Sequence, residues 1–419
     1  MAAALGVLVS CGSVKSGEEV VAASRDSKVV VAYVTSWSEV MPDPQYMTHI
    51  NYAFGHVNES FNGVKIDNEE RLRQIVDLRK QKPELKVLLS IGGWGSGRFS
   101  EMAANDEYRR AFAADCDRVV KEFALDGIDI DWEYPTSSMA NISSSPDDTE
   151  NFTLLMQDIR AAIGNEKELT LATVASARYI DFKAILPSVD FVNIMAYDMA
   201  SAPKHHSALY PSGHSGDITS DGAVTAHLKA GVPPSKLVMG MPFYGRGGDG
   251  YPSFQDYNKV GNTDTQYTEK WDEVAQVPYL ADKNDTLVFG FENPRSLAIK
   301  CQYILDKDLL GGMYWDYSGD NEQGDLRRTV AENLLGKPHK AKVLVLTERG
   351  GQHGGFTDAG LRWLAAEGVK GNFSITEINN ARNITEAYLS QFSLVIQLDF
   401  PPYTWPKEAE DAFVKYIEE

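Results

Sequence analysis

Residues 125–135 read LDGIDIDWEYP, and this segment carries four acidic side chains within eight positions. Three of the acids alternate with apolar residues, which is the pattern of a β-strand whose successive side chains point to opposite faces. Asp129, Asp131 and Glu133 therefore share one face, while isoleucine and tryptophan side chains share the other. The segment predicts a strand that presents three carboxyl groups side by side.

Such a strand is costly to bury, because ionised carboxylates without partners lose their hydration. The other strand-like segments of the chain are apolar, which disfavours a solvated, charged strand face. Carboxyl groups held close together drive their pKa values apart, so that one of them keeps its proton at neutral pH. We therefore predict a catalytic acid–base site. The segment lacks the order and the central glycine of an EF-hand loop, so we expect no metal and no cofactor.

Eight apolar, β-branched segments lie between residues 28 and 335, and amphipathic helix-like segments separate most of them. The strand-like segments are VVVAYVTSW, HINYAF, KVLLSI, GIDIDW, LTLATVA, VDFVNIMAY, KLVMGMPFY and GGMYWDY. This composition is typical of buried parallel strands. The pattern predicts an α/β fold, a (β/α)8 TIM barrel over residues 28–335. An open doubly wound sheet is the alternative, and the lack of a Gly-rich phosphate loop disfavours it.

A second α/β pattern begins after a short linker at residues 336–341. The strand KVLVLT and the helix DAGLRWLAAEG are followed by the strand FSLVIQLDF and the helix KEAEDAFVKYIEE. We predict a flavodoxin-like α/β domain over residues 342–419. Because the pattern stops after its second strand–helix unit, we expect this domain to be truncated.

The N-terminal residues 1–27 contain an apolar run that ends at Cys11 and then turns rich in Ser, Gly and Glu. This segment resembles the end of a bacterial lipoprotein signal, in which the cysteine becomes lipidated, although it lacks a basic start. We expect a lipoprotein of the bacterial cell envelope, periplasmic or outer-surface, or a secreted protein. Attachment to a membrane would occur only through this lipid, and a disordered tail is the alternative.

The overall charge restricts the partners of the protein. The net charge of −19 repels phosphate backbones, so we expect no nucleic acid and favour a neutral polymer or small molecule. The chain has three cysteines, and two of them, Cys116 and Cys301, lie in helix-like segments that predict core packing. We therefore expect no disulfide framework, and we expect a monomer.

The acidic segment resembles the signature of glycoside hydrolase family 18, the chitinases and their relatives. Four further motifs resemble the same family, in order along the chain. They are LLSIGGW (88–94), IMAYD (194–198), GMPFYGR (240–246) and GGMYWDYSGD (311–320). Together these motifs extend the resemblance over residues 28–335, which makes it far more specific than a single motif.

The resemblance implies a reaction in which the 2-acetamido oxygen of the substrate attacks the anomeric carbon and forms an oxazolinium ion. Glu133 matches the general acid/base of the family. Asp131 matches the residue that binds the acetamide N–H, and Asp129 would share a proton with it. Tyr197 matches the donor to the acetamide oxygen.

The resemblance also implies residues that bind the sugar. Trp315 matches the hydrophobic platform beneath the distorted sugar, and Asp198 matches a second polar contact there. Further candidate sugar contacts are Trp94, Tyr244, Arg246, Phe54, Tyr33 and Met195. For Tyr33 and Phe54, packing in the core is an alternative to contact with the substrate.

Two supporting residues and one loop complete the site prediction. Asp126 is expected to hold the end of the acidic strand, and Ser90 to hydrogen-bond Asp129. His205 and His206 lie in a polar segment that predicts a solvated loop. The segment after GMPFYGR is too short for the full inserted domain of some family members, so we expect a shallow, open cleft.

The C-terminal residues 341–419 resemble the start of a trehalose-utilisation-like domain, a flavodoxin-like fold related to class I glutamine amidotransferases. The supporting motifs are KVLVLTERGGQHGGFT and DAGLRWLAAEG. The resemblance assigns no site to this part of the chain.

Three functions remain open from the sequence. The first is hydrolysis of β-1,4-linked N-acetylglucosamine, in chitin or its oligosaccharides, with retention of configuration. The second is an endo-β-N-acetylglucosaminidase that acts on N-glycans, which would share the acidic motif. The third is a chitin-binding, lectin-like protein without catalysis. The presence of Glu133 favours an enzyme, since the lectin-like relatives usually lack it.

Overall fold

The computed structural model describes most of the chain. The described residues are 28–248, 251–260, 267–336, 341–347, 354–371, 373–390, 392–398 and 405–418. Cys11 and the lipoprotein-like segment lie outside the described residues, as does most of the predicted linker.

Most barrel strands are separated by α-helices, as the sequence pattern predicts, although only a 3-10 turn lies between β1 and β2. In chain order the strands are β1 (Val29–Thr35), β2 (His49–Val57), β3 (Val64–Ile66), β4 (Lys86–Gly92), β5 (Gly127–Asp131), β6 (Glu168–Val174), β7 (Phe191–Met195), β8 (Leu237–Pro242), β9 (Tyr244–Gly247), β10 (Gln255–Asp256), β11 (Thr268–Asp272), β12 (Val277–Ala281), β13 (Leu287–Gly290), β14 (Gly311–Trp315), β15 (Ala341–Thr347), β16 (Phe373–Ile378) and β17 (Leu394–Leu398). The helices are α1 (Glu69–Val76), α2 (Phe99–Ala104), α3 (Asp106–Glu122), α4 (Asp148–Ile163), α5 (Phe182–Ile185), α6 (Ser220–Lys229), α7 (Pro294–Asp306), α8 (Asp325–Leu334), α9 (Gly354–Gly371), α10 (Glu386–Leu389) and α11 (Lys407–Glu418).

Eight parallel strands close into a barrel. Their order is β1, β2, β4, β5, β6, β7, β8 and β14, and β14 pairs with β1 to complete the ring. The pairing of Leu89 with Ile128 and of Ser90 with Asp129 shows the register at the acidic strand. The predicted TIM barrel is therefore confirmed.

The outer layer of the barrel packs against helices that the sequence specifies locally. Helix α3 begins at Asn105, whose side chain accepts hydrogen bonds from two backbone N–H groups of the first turn. Its buried face includes Phe112 and Cys116, at helical spacing. Trp132 continues the apolar face of β5 and stacks on Phe99, with ring centroids 5.3 Å apart. The alternation along β5 thus separates an apolar outer face from an acidic inner face.

A small antiparallel sheet follows β8. Its strand order is β10, β9, β13, β12 and β11, and it connects the seventh and eighth barrel strands. Residues 249–250 and 261–266 of this region lie outside the described residues. In its described part the segment consists mainly of strands, with one short 3-10 helix at Tyr257–Lys259.

The C-terminal part forms a separate sheet of three parallel strands in the order β16, β15 and β17. Leu344 and Leu346 of its central strand are buried in a cluster with Leu389 and Trp405. The predicted alternation of strands and helices is present, but the count of two strand–helix units is wrong, because β16 adds a strand that the sequence analysis did not identify. The family of this part stays a prediction. Among the described residues, no helix combines the length and apolar character needed to cross a bilayer.

Candidate active site

A cavity of about 700 Å³ opens where the barrel strands end, at the face where parallel barrels place their active sites. Strand β5 delivers Asp131 into it, and Glu133 follows two residues later. The cavity is lined by Tyr33, Trp37, Phe54, Trp94, Asp131, Glu133, Tyr134, Met139, Ala172, Val174, Ala175, Ser176, Arg178, Tyr179, Met195, Tyr197, Asp198, Met199, Ile218, Tyr244, Arg246, Phe254 and Trp315.

Asp129 lies beneath the cavity and is fully buried. Its Oδ2 accepts hydrogen bonds from the hydroxyls of Tyr33 and Ser90, each at 2.8 Å. Its Oδ1 accepts from Thr170 Oγ1 at 2.6 Å and from Asn193 Nδ2 at 3.3 Å. Burial raises the pKa of Asp129, and these donors oppose the shift. Four donors from four strands therefore hold this carboxyl group in one orientation.

Asp131 has the opposite environment. Only 4% of its surface is exposed, and Oδ1 has no hydrogen-bond partner among the described residues. Burial raises the pKa of Asp131 well above its usual range, and the charges of Glu133 and Asp129 add to the shift. The cavity thus contains a buried acceptor that no described protein group satisfies, which is suited to a donor on a ligand.

Glu133 has the properties of a general acid. Burial and the charge of Asp198 raise the pKa of Glu133 to about 7, against the opposing effect of a hydrogen bond with the Tyr134 side chain. A carboxyl group that titrates near neutral pH can both donate a proton and take one back. The three acids of one strand therefore have three different environments.

This environment has a cost in stability, which gives a first prediction. The pKa of a glutamate is ordinarily 4.5, whereas that of Glu133 in the folded protein is about 7. Between these two pH values the unfolded chain releases the proton of Glu133 while the folded protein keeps it. The free energy of unfolding therefore falls as the pH rises through this range. We expect Glu133→Gln to raise the free energy of unfolding by about 1–3 kcal/mol near pH 8 and to have little effect near pH 4. Thermal unfolding at both pH values measures this, with the exposed Glu59→Gln as control. Equal stability of wild type and variant near pH 8 would contradict it.

Asp198 is ionised and held by two partners. Arg246 donates from Nε to Oδ1 at 2.7 Å and from Nη2 to Oδ2 at 2.5 Å. Nδ1 of His206 lies 3.4 Å from Oδ1. Although burial raises it, these contacts hold the pKa of Asp198 well below its usual range. The carboxylate is a fixed negative charge at the cavity wall.

Tyr197 supplies a hydroxyl donor beside the acids. Burial and the charges of Asp131 and Glu133 raise the pKa of Tyr197 well above its usual range, so the hydroxyl stays protonated. Its oxygen lies 3.9 Å from Met313 Sδ, which is a weak acceptor. The hydroxyl is therefore available to a ligand.

Aromatic rings form the floor of the cavity. Trp315 at the end of β14 stacks on Phe54, with centroids 5.5 Å apart and planes inclined by 22°. Tyr33 and Trp37 approach the same indole at 5.6 and 6.5 Å. The indole of Trp315 therefore lies among aromatic neighbours, and its apolar face suits the face of a sugar ring.

The structure places the sequence-predicted residues in three groups. All predicted sugar contacts line the cavity together with Asp131, Glu133 and Tyr197. Ser90 and Asp129 lie below it and contact each other. Asp126 lies apart from the cavity, just before β5, where it pairs with Arg79 and accepts from the backbone N–H of Val87 at 2.7 Å.

Several residues of the site were not found from the sequence. Trp37, Tyr134, Met139, Arg178, Tyr179 and Phe254 also line the cavity. Thr170 and Asn193, which bind Asp129, are polar residues within apolar strands, and this alternation could have identified them. The loop residues carried no comparable signal.

The prediction of a solvated loop at His205 and His206 is wrong. Only 2% and 1% of the surfaces of these residues are exposed. His205 contacts Asp272 at 3.2 Å, and His206 reaches Asp198. Each histidine is buried because it contacts an aspartate, and Asp272 lies far from His205 in the sequence. Among the described residues, no cluster of His, Cys, Asp and Glu is arranged to hold a metal ion.

Comparison with known proteins agrees with this geometry. The model of the glycosyl hydrolases family 18 matches residues 29–320. Chitinase A1 of Niallia circulans is 30% identical over 409 residues, covering 72% of this chain, and the chain spans 58% of that protein. Chitotriosidase-1 of Mus musculus is 31% identical over 350 residues, covering 70% of this chain and 74% of that protein.

A solved structure gives the same result. The family 18 N-acetylglucosaminidase of Paenibacillus barengoltzii superposes with a TM-score of 0.68 at 32% identity, covering 73% of this chain and 99% of that one. The acidic strand, the closed barrel and the matched residues all coincide in one region. The chain therefore belongs to the glycosyl hydrolases of family 18.

Proposed function

We propose that the protein is a chitinase, which hydrolyses β-1,4-linked N-acetylglucosamine in chitin or its oligosaccharides with retention of configuration. The observation that carries the proposal is the pairing of Glu133, with a pKa of about 7, and Asp131, with an unsatisfied Oδ1, in one cavity. Two of the relatives above are named as a chitinase and a chitotriosidase, which supports this substrate class.

In the first step Glu133 donates its proton to the glycosidic oxygen as the bond from the anomeric carbon breaks. The carbonyl oxygen of the substrate's own 2-acetamido group attacks that carbon and forms an oxazolinium ion. Asp131 Oδ1 accepts the acetamide N–H. The positive charge that develops beside Asp131 favours the loss of its proton, which passes to Asp129, and the resulting carboxylate stabilises the cation. The unsatisfied acceptor at this position supports the assignment.

In the second step the Glu133 carboxylate takes a proton from water, and the hydroxide oxygen bonds to the anomeric carbon. The acetamide is regenerated, and two displacements at one carbon retain its configuration. Tyr197 donates to the acetamide oxygen, since the hydrogen-bond acceptor of its hydroxyl among the described residues is Met313 Sδ, which is a weak one. Trp315 supports the sugar from below.

Product analysis tests the function. Chitopentaose and a high-mannose glycopeptide are each incubated with the protein, and products are identified by mass spectrometry. We expect cleavage of chitopentaose and none of the glycopeptide. Cleavage of the glycopeptide alone would identify an endo-β-N-acetylglucosaminidase, and binding of chitopentaose without any cleavage would identify a lectin.

The alkaline limit of activity gives a second prediction. Glu133 must be protonated in the free enzyme, so kcat/KM is expected to fall above a pH of about 7. Because the charge of Asp198 raises the pKa of Glu133, Asp198→Asn removes that contribution. We expect the alkaline limb to move to lower pH by several tenths of a unit. A pH profile of kcat/KM measures it, and an unchanged or higher limb contradicts it.

We further propose a lipid anchor at Cys11 and a bacterial envelope or secreted location. The apolar run that ends at this cysteine supports the proposal. Metabolic labelling with a fatty-acid probe in a bacterial host tests it, with Cys11→Ser as control. Equal labelling of both proteins would reject it.

For residues 342–419 we propose a flavodoxin-like, trehalose-utilisation-like domain. The parallel order of β16, β15 and β17, with the first strand in the centre, supports this fold. The proposal assigns no activity to it.

A further inference from the structure

His206 is a buried histidine that touches the site but has no role in the reaction above. Its side chain is 0% exposed, and Nδ1 lies 3.4 Å from Asp198 Oδ1. The backbone N–H of Asp198 is 3.5 Å from the same nitrogen. The ring also packs against Tyr244, with centroids 5.3 Å apart. A single nitrogen cannot donate to the carboxylate and accept the backbone N–H at once. The contact to Oδ1 is the shorter of the two and lowers the pKa of Asp198, which assigns the ring proton to Nδ1.

The segment that contains His206 is hydrogen-bonded to a buried ion pair. Lys300 and Glu292 pair with each other, and both side chains are 0% exposed. Ser207 joins them, because its hydroxyl donates to Glu292 Oε1 at 2.6 Å and its carbonyl accepts from Lys300 Nζ at 2.5 Å. The carbonyl of His206 accepts from Met199 N at 3.0 Å. These bonds fix the position of the ring.

The other partner of Asp198 is fixed as well. The Arg246 guanidinium lies 5.2 Å from the ring centre of Tyr244 and 5.3 Å from that of Phe254. Asp198 itself has a positive φ of 55°, a conformation that a non-glycine residue adopts at some cost. The carboxylate is thus held by partners on two different elements.

Space filling alone does not explain a histidine here. Nε2 of His206 is buried and has no hydrogen-bond partner among the described residues. A buried polar atom without a partner costs about 1–3 kcal/mol, and an apolar side chain of similar size would avoid that cost. The advantage of a histidine over an apolar side chain must therefore come from the other nitrogen, Nδ1, which faces Asp198.

We propose that His206 is a positioning residue which, together with Arg246, fixes the Asp198 carboxylate in the orientation that meets the reacting sugar. This inference rests on the proposed function. Without the Nδ1 contact the carboxylate is held by Arg246 alone and can shift together with that side chain, so its alignment at the transition state is lost. The loss then falls mainly on kcat, because alignment matters most at the transition state.

Three variants separate this role from packing. His206→Asn places an amide near the position of Nδ1, His206→Gln extends its amide towards the position of Nε2, and His206→Leu removes both. We expect kcat on chitopentaose to fall about tenfold in the Leu and Gln variants, with KM changed less than twofold. We expect the Asn variant to recover most of the activity. Thermal unfolding of all three measures any loss of packing.

Two results would overturn the proposal. One is a kcat of the Asn variant no higher than that of the Leu and Gln variants. The other is a loss of kcat that follows the melting temperature across the three variants. NMR of labelled histidine rings provides a readout that does not need catalysis. The ring signals of His206, assigned by their absence in the Leu variant, should move in Asp198→Asn and stay in place in Asp272→Asn, which faces His205 instead. If wild type fails to cleave chitopentaose but these signals move, the proposed substrate is wrong and the contact stands. Unmoved signals reject the contact.

Discussion

Glu133→Gln is expected to lower kcat on chitopentaose by two to four orders of magnitude, while the oligosaccharide still binds. Glutamine keeps the shape of the side chain but cannot donate a proton to the leaving oxygen. The environment of Glu133, with a pKa of about 7 at the end of β5, is suited to that donation. Initial rates of product release measure kcat, and isothermal titration measures binding.

The control is Glu59→Gln, which removes an exposed glutamate outside the cavity. We expect its kcat to equal that of wild type. A Glu133→Gln variant that keeps more than a tenth of wild-type kcat would exclude Glu133 as the acid. Loss of both binding and activity would indicate a damaged cavity, which the unfolding curves would reveal.

Asp131→Asn is expected to lower kcat by about two orders of magnitude, with a smaller effect on KM. The charge of Asp131 stabilises the oxazolinium ion, and this interaction exists only after the acetamide has attacked. Asparagine occupies the same volume but supplies no negative charge. Steady-state kinetics on chitopentaose separates the two constants.

The matched control is Asp126→Asn on the same segment. Asp126 pairs with Arg79 outside the cavity, so its loss is expected to lower stability and to leave kcat within about twofold of wild type. Equal losses of kcat in both variants would show that a carboxylate is needed for the strand and not for the reaction. A rise in KM alone in Asp131→Asn would place this residue in ground-state binding.

The barrel could be predicted because its cause is local. The barrel strands are short apolar runs, most of them followed by an α-helix, and eight such runs leave few alternatives. The acids of β5 could be predicted for the same reason, since the two-residue period of a strand assigns Asp129 and Asp131 to one face without further knowledge. The identity of the reaction came from the resemblance to family 18.

The residues that escaped prediction depend on contacts distant in sequence. His206 looks solvated because its neighbours in sequence are polar, yet Glu292 and Lys300 bury the segment from more than eighty positions away. Trp37 and Phe254 enter the cavity from loops, where no period indicates direction. Sequence patterns specify faces of regular elements, whereas loops are placed by tertiary packing.

Cleavage of chitopentaose compared with its fully N-deacetylated counterpart tests the substrate-assisted mechanism most directly. Both are assayed at saturating concentration, and products are quantified by mass spectrometry. The acetamide oxygen is the nucleophile in the proposed mechanism, and the deacetylated pentamer lacks it. We therefore expect the acetylated pentamer to be cleaved and the deacetylated one to react at least about a hundredfold more slowly. Comparable rates on both would show that the acetamide is not the nucleophile, and would contradict the substrate-assisted mechanism and the role given to Asp131.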